Sequence, residues 1–84
     1  MYRVITYPDA GEQVAALVAE ALPFYAEAFG VLELAPWNGR PYNDDKPDGS
    51  MRELVFGGNG EGAVTYLILE DQRRVDVLLV QWVG

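Results

Sequence analysis

MRELVFGGNGEGAVTYLILEDQRRVDVLLVQW, residues 51–82, is the stretch whose reading decides the fold. It holds apolar runs cut by short polar turns. Arg52–Phe56 reads as a strand, rich in residues that fit a pleated surface. Gly57–Gly62 reads as a turn, where Asn59-Gly60 suits positive φ. Ala63–Leu69 is the next strand, Glu70–Arg73 a tight turn, and Arg74–Trp82 the last strand. Short turns join antiparallel neighbours, because parallel pairs need a long crossover. The last two runs are apolar at nearly every position, as expected for strands central in a sheet. Arg74–Trp82 is apolar on both faces, which predicts an uncovered apolar patch and a protein contact at the sheet edge and Trp82.

Upstream, Ala35–Met51 (APWNGRPYNDDKPDGSM) reads as a loop with turn signals at Asn38-Gly39 and Asp48-Gly49. Its large anchors are Trp37 and Tyr42. Before it, the periodicity is helical. Asp9 and Glu12 have the spacing of a capping box, so a helix is predicted to start there. Val14, Leu17, Val18, Ala21 and Leu22 follow as one apolar stripe. Pro23 is expected to break or restart the helix. A second helix is expected over Phe24–Leu34, burying Phe24, Ala28, Phe29 and Leu32. The sequence leaves a helical hairpin and one kinked helix equally open. Tyr2–Tyr7 is predicted to be an N-terminal strand. The resulting expectation is an α+β chain with a mainly antiparallel sheet of about four strands. Its predicted core is Val14, Leu17, Val18, Phe29, Leu54, Tyr66, Ile68, Val77 and Leu79.

Eighty-four residues suit one domain spanning 1–84. Half of the residues are hydrophobic, which is too many for a disordered tail. No apolar run reaches the roughly 18 residues of a membrane span, and no leader pattern opens the chain. Cysteine is absent, so there is no disulfide framework, and a cytoplasmic location is expected. The net charge is −7, and no Lys or Arg lies between Arg3 and Arg40. That acidity argues against nucleic acid; it keeps a small chain soluble, and it also suits a basic protein partner.

The residue inventory argues against the familiar kinds of catalysis. There is no histidine, Ser50 is the only serine and Lys46 the only lysine. Ser-His and Cys-His dyads are therefore excluded. Asp44, Asp45 and Asp48 fail as a calcium loop, since Lys46 and Pro47 interrupt them and Val55 stands where the bidentate Glu belongs. The glycine-rich turn precedes a strand rather than a helix, so no helix N-terminus faces an anion there. No metal and no cofactor is expected.

The order of elements resembles the RelE/ParE toxin superfamily. The similarity is carried by Trp37-Asn-Gly-Arg-Pro41, Met51-Arg-Glu-Leu-Val-Phe56, Val64-Thr-Tyr-Leu-Ile68 and Val75-Asp-Val-Leu-Leu-Val80. The resemblance implies a RelE/ParE-like fold: an N-terminal strand, a helical hairpin or kinked helix, then three antiparallel strands. It also implies the toxin of a toxin–antitoxin pair. One branch of that superfamily cleaves messenger RNA on the ribosome with basic and aromatic side chains on the sheet. Another branch inhibits gyrase without cutting RNA.

Carried over by position, Arg52, Tyr66, Arg73 and Arg74 are the candidate ribonuclease residues. Trp37, Tyr42 and Trp82 are the candidate binding residues. Val55 and Ala63 stand where the superfamily usually has cations, and its C-terminal Tyr or His segment has no counterpart. Stabilising a crowded, negative phosphorane takes several cations. The expected function is therefore a diverged toxin-like protein that binds protein, either a small antitoxin or a second copy. The alternatives are a ribosome-dependent endoribonuclease and a structural or small-molecule-binding domain.

Overall fold

The three C-terminal runs form strands within one residue of the expected bounds. The computed structural model describes residues 1–84. The chain runs β1 (Arg3–Thr6), α1 (Pro8–Ala15), α2 (Leu22–Leu34), β2 (Arg40–Pro41), β3 (Met51–Phe56), β4 (Gly62–Leu69) and β5 (Arg74–Trp82). All five strands join one sheet, in the order β1-β5-β4-β3-β2. The β2–β3, β3–β4 and β4–β5 pairs are antiparallel, as the short turns require, whereas β1 runs parallel to β5. The sheet is thus mixed and has one strand more than expected. The addition is β2, whose two residues are held by Arg40 opposite Glu53 and Pro41 opposite Arg52.

The helices cover one face of this sheet. α2 buries Tyr25, Ala28 and Leu32, and α1 buries Ala10. They meet Phe56, Val64, Tyr66, Ile68, Val75, Val77 and Val80 in one core. Val14, Leu17, Phe29 and Leu54 pack against its margin, as does Trp82.

Three expectations about the helices need correction. The helix N-cap is Tyr7, with Pro8 in the first turn and no side-chain cap bond, so Asp9 and Glu12 form no capping box. Proline is tolerated there because the first amides of a helix have no partner to lose. Pro23 restarts the helix as expected, sitting for the same reason in the first turn of α2. The break falls earlier, at Ala16–Val18, where the chain bends by 112° and makes two helices rather than one kinked one. The predicted stripe is cut in two, leaving Val18 and Leu22 each 47% exposed. Phe24 is turned outward, and Tyr25 takes the buried position beside Phe29 and Phe56. No single helix is long and apolar enough to cross a membrane.

Strand alternation assigns the other sheet face. Val64, Tyr66 and Ile68 point at the helices, so Ala63, Thr65, Leu67 and Leu69 point away. Opposite β4, Val77 pairs with Tyr66 and Leu79 pairs with Thr65, which makes Leu78 an extra residue. This β-bulge turns Leu78 and Leu79 together onto the uncovered face. Leu79, predicted to be core, is half-buried there and lies outside the packed cluster.

Candidate functional site

Arg52 and Tyr66 stand opposite each other on β3 and β4, and both face inward. Arg52 shares its side of β3 with Leu54 and Phe56, and Tyr66 lies between Val64 and Ile68 on β4. The Arg52 guanidinium donates to the carbonyls of Gly39 at 3.0 Å, Pro47 at 2.8 Å and Gly49 at 3.0 Å. It also lies 5.0 Å from the centre of the Trp37 ring. The Tyr66 hydroxyl donates to the Pro36 carbonyl at 2.6 Å. These two side chains tie the loop from Ala35 to Ser50 down onto the sheet end. Neither reaches the surface, since Tyr66 is fully buried and Arg52 is 8% exposed.

A second cluster closes the same end from outside. Glu70 accepts from the Tyr2 hydroxyl at 2.6 Å, from Trp37 Nε1 at 2.7 Å and from Arg73 at 3.0 Å. Arg73 adopts the left-handed conformation, φ 48°, and stacks over the Tyr2 ring. Trp37 is thereby a bridge between the two clusters, and Arg73 an element of the turn. Tyr42 is 58% exposed and stands apart from both.

Arg74 lies on the uncovered face. It grips Asp76 with two nitrogens at 2.9 and 3.1 Å, while the Tyr7 hydroxyl donates to the same carboxylate at 2.8 Å. Arg40 on the same face is paired with Glu53. Of the six cations in the sequence, Arg40, Arg73 and Arg74 are ion-paired and Arg52 is buried. Arg3 and Lys46 are left free. The rest of the face is Arg3 and Ile5 on β1, Met51 and Val55 on β3, Ala63, Thr65, Leu67 and Leu69 on β4, and Leu78, Leu79 and Gln81 on β5; of these only Thr65 is buried. Alternation along β5 could have revealed this stripe, but the bulge that gathers its leucines could not be read from the sequence.

Trp82 faces the helices. Its ring lies 5.8 Å from Phe56, centre to centre, and its Nε1 is buried without a hydrogen-bond partner. It borders an open groove with Gln13, Leu17, Val18 and Val80, whose amide is held by the Gln13 side chain at 2.6 Å. No group of His, Cys, Asp or Glu is arranged to hold a metal ion.

The titrating groups bracket the range in which this arrangement is stable. Burial pushes the Tyr66 phenol up to about 12, and burial alone raises Tyr25. The hydrogen bonds to Glu70 and Asp76, with burial, raise Tyr2 and Tyr7. Groups whose folded pKa is raised stabilise the fold below their unfolded value of 10 and lose that contribution as pH rises through the folded value. For Tyr66 the window is pH 10 to about 12. On the acid side, the Tyr2, Trp37 and Arg73 bonds hold Glu70 below the carboxylate range. Burial alone would raise Asp76, but the Arg74 and Tyr7 bonds outweigh it and hold it low. That contribution is present above the ordinary carboxylate range and is lost as pH falls below it. Thermal melts across pH should show a neutral plateau with a fall on each side. Tyr66→Phe should be less stable at neutral pH but should fall less steeply on the alkaline side.

No protein-family model matches this sequence, and no curated protein matches it at the sequence level. Similarity to solved structures is clear. The isolated Escherichia coli RelE toxin superposes with a TM-score of 0.72 at 14% identity, covering 100% of this chain and 86% of that one. The intact Escherichia coli RelBE toxin–antitoxin complex gives 0.70 at 16% identity, covering 100% and 99%. The archaeal RelE–RelB complex from Pyrococcus horikoshii OT3 gives 0.65 at 16% identity, covering 99% and 96%. From β1 to β5, with its helix pair on one side of a five-stranded mixed sheet, the chain has the fold of the RelE toxins.

Proposed function

We propose that this chain is a diverged RelE-type toxin that acts as one cytoplasmic domain, by binding protein through its uncovered sheet face, and does not cleave RNA. One observation carries the reading: the face presents leucine, valine and methionine, and of its cations Arg40 and Arg74 are bound to carboxylates, leaving only Arg3 on the edge strand β1 unpaired. A ribonuclease of this fold needs free positive charge where a phosphate will sit. An apolar face bordered mostly by neutralised charges instead suits a protein, since association is driven by buried apolar area. The RelE structures solved with an antitoxin support a small antitoxin protein as the partner.

Expression in a bacterial host should slow growth, and co-expression of a small protein from the neighbouring reading frame should relieve it. Leu79→Asp should abolish both the slowing and the co-purification of that protein. Its unfolding free energy should change by only about 1 kcal/mol, because Leu79 lies outside the core. Slowing that persists in Leu79→Asp would count against the face.

A further inference from the structure

The edge of the sheet at β3 is left open. The Ile68 amide donates to Ser50, and the Tyr42 amide donates to Met51. Even-numbered β3 residues thus point their backbone groups at β4, and odd-numbered ones point them at β2. Met51 and Glu53 meet Tyr42 and Arg40. The next outward residue is Val55, and continuing the register would set it against Asn38. Asn38, however, belongs to the 3-10 turn Pro36–Asn38, so β2 stops short. Val55 is 48% exposed, and no residue of β2 stands opposite its outward N–H and C=O.

Beside this edge runs a groove of about 380 Å³ between β3 and α2. Phe24, Ala28, Val31 and Leu54 form its apolar wall, and Gly57 and Gly58 leave its end low. Its one charged residue is Glu27, and no cation lines it. Natural sheets normally block an edge of this kind with lysine, proline or a covering element. Here an unpaired strand end, an apolar groove and an acid occur together. We propose that this edge takes an extended basic segment of another protein as an added strand, its backbone paired with Val55. The apolar side chains of that segment would enter the groove, and a Lys or Arg would meet Glu27. Strand addition of this kind draws affinity from main-chain bonds and specificity from alternate side chains. A second copy of this chain fits poorly, because it brings its own Glu27 and a net charge of −7 to the same place. This site adjoins the uncovered sheet face at Val55 but is built from the strand edge and the helix-side groove, and it does not depend on that face's function.

The test uses labelled Val-Thr-Lys-Thr-Val, whose valines and lysine share the face toward the groove, its Val-Thr-Glu-Thr-Val counterpart, and Val-Pro-Lys-Pro-Val, of equal charge with proline on either side of the lysine. Binding is followed by fluorescence anisotropy and by amide NMR shifts. The alternating basic peptide should bind saturably, with shifts confined to Val55, Gly57, Phe24 and Val31. Val55→Pro removes the edge N–H without touching the β4 ladder and should weaken binding about tenfold or more. The prolines in the peptide should do the same, and Glu27→Lys should reverse the preference to the acidic peptide. If Val55→Pro does not fold, the last two comparisons decide. Equal binding of the proline-containing peptide, or shifts centred elsewhere, would overturn the proposal. So would a dimer by light scattering that Val55→Pro or Glu27→Lys abolishes, since the edge would then belong to a second copy.

Discussion

Replacing Arg52 by alanine should lower the unfolding free energy by about 3–4 kcal/mol, the largest single effect expected of a polar residue here. The Gly39, Pro47 and Gly49 carbonyls would lose a charged donor together, and the Trp37 ring would lose the cation beneath it. Hydrogen bonds to a charged group contribute roughly 1.5–3 kcal/mol each, but one guanidinium shares its desolvation among them, so they do not add. A chain of this length has only about 4–12 kcal/mol to lose. The melting temperature should fall by roughly 12–30 °C. Arg52→Lys should recover only part of this, since a point ammonium cannot span three carbonyls in a fixed plane. Calorimetry on both variants measures it. A shift of only a few degrees in Arg52→Ala would mean that the loop is held by something else.

Leu32→Ala should cost about 2–5 kcal/mol by cavity formation. Leu32 is fully buried and lies where α2 meets the sheet. Leu79→Ala, the same chemical change, should cost far less than Leu32→Ala because Leu79 lies on the side without helices. Denaturant melts of the pair therefore test the assignment of faces as well as the core. Equal losses would contradict a sheet covered on one side only.

The readable parts of the fold were those where local pattern and tertiary environment agree. The bounds of Arg74–Trp82 are legible residue for residue, because an apolar, β-branched run follows directly on a polar turn. The exposure of Val18 and Phe24 is not legible, because the chain bends at Ala16–Val18 without glycine or proline and the helical period does not mark the break. β2 is two residues long and gains strand character only from β3 beside it. The parallel pairing of β1 is a long-range choice that no local signal carries.

For the candidate site residues, strand alternation already carries the direction of each side chain. Arg52 sits two residues before Leu54 and four before Phe56, and that alternation already sets it on the inward face. Its charge made it resemble a surface residue. Tyr66 carries the same signal between Val64 and Ile68. Arg74 and Asp76 are two apart on one strand, the spacing at which side chains share a face and pair.

The proposed function of this chain, which has the fold of the RelE toxins, is to bind protein and not to cleave RNA. In vitro translation with the purified chain, followed by primer extension on the translated message, tests it most directly. The expected result is an unchanged pattern of message ends at every protein concentration tried, in low salt as well as physiological salt. Codon-specific cuts that appear with the wild type and vanish in Arg74→Ala or Arg40→Ala would contradict it, because the ion-paired cations of the uncovered face would then be acting on phosphate.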